Sequence, residues 1–94
     1  MSSKSEYLEE LTKSLIEATH ERDMYEIDYE LEKARTMNSA EVSSFGNQAM
    51  REAQVIISLD MRGMYRKMAE LKSKARICWY AWEGMRSEKS KTEN

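Results

Sequence analysis

From Val42 to Met85 apolar side chains recur at steps of three or four, through Phe45, Ala49, Ala53, Ile56, Ile57, Met61, Met64, Met68, Leu71, Ala75, Cys78 and Trp82. That spacing is the period of one helical face, and only a long helix presents so extended a run on a single side. A shorter stretch with the same period precedes it: Leu8, Leu11, Leu15, Ile16, Met24, Ile27, Leu31 and Ala34. There is no proline in the 94 residues and there are only three glycines, so no ring forces either helix to stop. The spacing predicts an all-α chain of two long helices.

Start signals mark the boundary between them. Asn38 is placed to cap a second helix, with Glu41 three residues on as its capping-box partner and Met37 and Val42 as the flanking hydrophobic staple. Ser3 and Glu6 form the same box at the chain's beginning. Helix one is expected over about 4–36, a tight turn over about 37–40, and helix two over about 40–87, in one domain covering about 1–88. Two places interrupt the second helix's logic. Gly46 could end a short helix with Asn47 capping the next, and Gly63 lowers helix propensity by about 1 kcal/mol. The polar stretch 89–94 is expected to be a disordered tail.

Helices joined by a tight turn pack antiparallel, giving a coiled-coil-like hairpin in which residues equidistant from Asn38 face each other. Glu9 and Glu10 would then meet Arg66 and Lys67, and Leu31 and Ile56 would lie in the buried seam. The charge distribution suits such a pairing. Residues 1 to 36 carry ten acids and five bases, while residues 37 to 94 carry ten bases and seven acids, for a formal net charge of −2. In this register residues 73 to 87 run past helix one by roughly 20 Å. The overhang holds Ile77, Trp79, Tyr80, Trp82 and Met85, an apolar surface that needs a cover, and a homodimer or higher homo-oligomer forming a dimeric helical bundle is the expected answer.

Catalytic and metal-binding patterns are missing from the sequence. His20 is the only histidine, and it has no histidine or cysteine one turn away to complete a zinc set. Cys78, the only cysteine, has Lys74 nearby but no base to activate its thiol, and reads as a small hydrophobe. Neither enzyme activity nor a cofactor is expected. With no apolar leader and no apolar run long enough for a membrane span, the chain is expected in the cytoplasm and away from membranes.

Two charged sets offer other readings. Arg62, Arg66, Lys67, Lys72, Lys74 and Arg76, near the stacking rings of Tyr65 and Trp79, could follow a nucleic-acid backbone. Asp23, Glu26, Asp28, Glu30 and Glu32 could mimic phosphates and occupy the nucleic-acid groove of another protein. Pairing of the basic set within the hairpin, and plain solvation of the acidic set, are the simpler explanations. Eight methionines suit either irregular core gaps or an adaptable interface.

The stretches Glu32-Lys-Ala-Arg-Thr-Met-Asn-Ser-Ala-Glu41, Gly46-Asn-Gln-Ala-Met-Arg-Glu52 and Lys74-Ala-Arg-Ile-Cys-Trp-Tyr-Ala-Trp82 resemble small all-helical proteins of bacteriophage early regions. The resemblance implies an adaptor or accessory in the host-cell cytoplasm, with a phage or host protein as partner. It assigns no functional residue.

Overall fold

A computed structural model describes the backbone of residues 4–93 and the side chains of residues 4–88. Four helices follow in order: α1 (Lys4–Met37), α2 (Ala40–Ser43), α3 (Gln48–Met61) and α4 (Met64–Glu93). No strand occurs among the described residues. The long helix α1 packs against α4, as expected for a helical hairpin. The chain divides into two compact units, one formed by residues up to Arg22 with those from Leu71 onward, the other by Asp23–Glu70.

In the unit of Asp23–Glu70 the expected tight turn is replaced by a longer connection. Ser39, not Asn38, is the N-cap: its Oγ donates to the Thr36 carbonyl at 2.7 Å and accepts from the Val42 amide at 3.3 Å. One side chain thereby closes α1 and opens α2. Buried Val42 anchors that short helix. After the loop 44–47 the interruption that Gly46 and Asn47 allowed is found, with Asn47 Oδ1 accepting from the amides of Ala49 and Met50 at 2.8 and 3.3 Å. Arg51 donates to the Phe45 carbonyl at 2.6 Å and so ties the loop to α3.

The single helix expected over about 40–87 is therefore three. Gly63 makes the second break, with φ at +77°, in the left-handed region that a Cβ disfavours. The α4 backbone is helical through Glu93, and Asn94, the last residue of the expected tail, lies outside those described. The proposed box at Ser3 involves a residue outside those described.

The longer connection moves the pivot. In this unit Lys67 sits over the Tyr25 ring at 4.8 Å and Arg62 bonds Glu32 at 2.9 Å. In the other unit Lys74 meets Glu21 at 3.4 Å and the Trp82 indole meets Thr12. Midpoints of these facing pairs fall close to residues 46 to 48, not at Asn38, because α2, its loop and the start of α3 are interposed. The expected facing of Glu9 and Glu10 with Arg66 and Lys67 is thus displaced by several helical turns. There is no overhang at residues 73–87, since this segment packs against the first part of α1.

The core follows the corrected register. Leu59 and Val55 are fully enclosed and are joined in their unit by Tyr29, Val42 and Met68. Burial of each large side chain contributes about 1.5 to 3 kcal/mol. In the other unit Ala18, Leu71 and Ala75 are buried, and the two alanines let the helices approach closely. Leu31 and Ile56, expected in the seam, are instead 50% and 44% exposed.

Candidate interaction surface

Inward positions on α1 advance by alternate steps of three and four: Leu8, Leu11, Leu15 and Ala18 in one unit, Tyr25, Tyr29, Glu32 and Thr36 in the other. Such a seven-residue repeat leaves the opposite side of the helix facing away from α4. In the Asp23–Glu70 unit that outer side carries Met24, Ile27 and Leu31, each at least half exposed. α1 consequently has apolar residues on two opposite faces, a pattern that requires packing on both sides to be fully satisfied. Asp23 and Glu30 border the outer stripe on one side and Asp28 on the other, while Glu26 turns toward the inward face and is half-buried.

The same alternation runs along α4 through Leu71, Ala75, Cys78, Trp82 and Met85. Of the five residues expected to form an interface, two are drawn inward. Trp82 and Met85 are half-buried; the Trp82 indole N–H donates to Thr12 Oγ1 at 2.8 Å, and the Arg86 guanidinium lies 5.3 Å from its ring centroid. The other three remain outside. Ile77 is 64% exposed, Tyr80 63% and Trp79 45%, and the Trp79 and Tyr80 rings meet edge to face at 5.2 Å.

The basic residues are dispersed among intramolecular partners. Arg62 bonds Glu32 at 2.9 Å and the Thr36 hydroxyl at 2.7 Å, with Arg35 on the same carboxylate at 2.6 Å. These hydrogen bonds, Arg62's first, hold the Glu32 carboxyl below its ordinary pKa. Arg66 bonds Asp60 at 2.9 Å, which raises the guanidinium's pKa further. Lys67 covers Tyr25, Lys74 pairs with Glu21, and Lys72 also has an interaction of its own. Arg76 stands exposed beside Ile77. Of the acidic residues, Asp23, Glu26 and Glu30 share one side of α1 beside Ile27 and Leu31, whereas Asp28 lies on another side, and Glu30 lies 4.0 Å from Lys33.

An open groove near the α1–α2 connection is lined by Val42, Phe45, Ile57 and Met61, with Arg35 and Arg62 at its edge. Its guanidinium charges are already committed to Glu32. His20 is exposed on α1 and Cys78 is half-buried on α4. Among the described residues no three His, Cys, Asp or Glu side chains gather as a metal site, and no helix is long and apolar enough to cross a membrane.

The residues missed as surface by sequence reasoning are Met24, Ile27 and Leu31. Their apolar character pointed to a core, and only the seven-residue repeat through Tyr25 and Tyr29 separates them from it. No protein-family model, characterised protein or solved structure matches the chain.

Proposed function

We propose that this chain is a non-enzymatic helical adaptor or accessory protein, of the bacteriophage type, that self-associates and works through the outer faces of its helices. The observation that carries this reading is the exposure of large apolar side chains at helical spacing, with Ile77 and Tyr80 on α4 and Met24, Ile27 and Leu31 on α1. Scattered exposed hydrophobes are ordinary on protein surfaces; groups of them on one helix face mark surfaces that another protein covers. Half-burial of Trp82 and Met85 narrows the α4 surface to its outer residues. The proposed setting is the cytoplasm of a host cell.

The nucleic-acid reading has weaker support, because Arg62, Arg66, Lys67 and Lys74 already face intramolecular partners. Phosphate mimicry is weakened similarly: Glu30 lies 4.0 Å from Lys33, Asp23 and Glu26 have interactions of their own, and Asp28 lies off the row these three form. Light scattering combined with fluorescence polarisation of labelled single-stranded and duplex DNA separates the classes. The adaptor reading expects a mass above that of one chain and no DNA binding at moderate salt. A monomer that binds DNA with a steep salt dependence overturns it.

A further inference from the structure

Resting on the reading of a self-associating adaptor, we infer that the second copy's own α4 covers Ile77 and Tyr80, antiparallel and centred between Cys78 and Trp79. The argument lies wholly within the unit that contains α4 from Leu71 onward.

Seen along the helix, the outer side of α4 presents Ser73, Ile77, Tyr80, Gly84 and Ser87 at alternating steps of four and three. This is the spacing by which one helix seats against another. The apolar pair Ile77 and Tyr80 lies in the middle, and small residues flank it. Turning a second copy about the centre places Ile77 opposite Tyr80 of that copy, and Tyr80 opposite its Ile77. Ser73 then faces Gly84 of the second copy, and the reverse. Large residues meet at the centre while small ones at both ends let the backbones approach. Gly84 has open space on its side-chain side, with nothing within 4 Å of where a Cβ would stand.

Charge selects this direction. Arg76 and Glu83 lie along the same border of the outer side, one N-terminal to the apolar pair and the other C-terminal to it. In the antiparallel arrangement Arg76 comes beside Glu83 of the second copy on that border, and the exchange occurs twice by symmetry. A parallel two-fold arrangement would place the two copies of this border on opposite sides of the seam and would forgo the exchange. Glu83 already bonds Arg86 at 2.6 Å on its own helix, and a carboxylate can accept from two guanidinium groups, as Glu32 does from Arg62 and Arg35. On the outer stripe of α1 the border of Asp23 and Glu30 carries only acids, so an antiparallel second copy would meet like charges along it, although the other border holds Arg35 as well as Asp28.

The experiment is sedimentation equilibrium on the full chain and on six variants, with circular dichroism to establish that each is folded. Arg76→Glu and Glu83→Arg should each weaken the dimer roughly tenfold, and the double exchange should restore it. Gly84→Gln should keep the helix and dissociate the dimer, because the added side chain has space in one copy but not between two. Ile77→Asp should give a monomer. Failure of the double exchange to restore association overturns the antiparallel pairing. A dimer that survives Ile77→Asp and is lost on Ile27→Asp assigns the contact to α1; the inference then fails while the self-associating adaptor stands. A monomeric unaltered chain removes the reading itself.

Discussion

The indole N–H of Trp82 donates to the hydroxyl of Thr12, which in turn donates to the Leu8 carbonyl at 2.8 Å. This chain of two hydrogen bonds places Trp82 one helix away from where sequence spacing alone would leave it, since it connects residues 70 positions apart. Replacement of Thr12 by valine keeps the shape and removes the acceptor. An unmet half-buried donor costs about 1 to 3 kcal/mol, so Thr12→Val should lower the urea midpoint measurably. An unchanged midpoint would place the α4 aromatics elsewhere.

Seam and surface should respond differently to truncation. Leu59→Ala is expected to cost about 2 to 5 kcal/mol, because Leu59 is completely enclosed and its loss leaves a cavity. Leu31→Ala, at a half-exposed outer position, should change the stability of the monomer by only about 0.5 kcal/mol. Chemical denaturation at low protein concentration checks both. Equal losses would contradict the assignment of the two faces.

This contrast also shows which parts of the fold were legible beforehand. Helical class followed from local chemistry that acts within a few residues; the same chemistry marked Gly46, Asn47 and Gly63 as places where the second helix could be interrupted, but one continuous helix was expected. Register did not follow from local chemistry, because it depends on how much chain the connection consumes, and Ser39 with buried Val42 turned a tight turn into an extra helix. Choosing the most apolar residues as the seam selected Ile27 and Leu31, while Tyr25, Tyr29, Glu32 and Thr36 occupy the inward positions. Aromatic hydroxyls and a carboxylate there are compatible with packing because they reach the seam's edge, where Arg62 meets Glu32 and Thr36. Of the residues expected at an interface, Ile77, Trp79 and Tyr80 are exposed, while the inward turn of Trp82 required the corrected register.

The glycines make opposite expectations. Gly63 occupies φ of +77°, so Gly63→Ala should destabilise by about 1 to 2 kcal/mol despite open space around it. Gly84→Ala, within α4, should stabilise the monomer by about 1 kcal/mol through helix propensity. Thermal melts of both variants at low concentration test this pair, and a stabilising Gly63→Ala would place the α3–α4 break elsewhere.

Acid should release the contact between Glu32 and Arg62. The folded-state pKa of Glu32 is lowered, so its contribution is present above the ordinary glutamate value of 4.5 and is lost as pH falls through the lowered folded value. Glu32→Gln should therefore flatten the acid limb of the stability curve. Its midpoint should differ from that of the unaltered chain at neutral pH and converge with it in acid. Parallel curves at every pH would show that the carboxylate's charge contributes nothing.

Sedimentation equilibrium of the unaltered chain over a wide concentration range tests the central claim most directly. The outer apolar faces predict a mass rising from the 11.1 kDa of one chain toward that of a dimer as concentration increases. A mass that stays at 11.1 kDa throughout would contradict self-association through these faces.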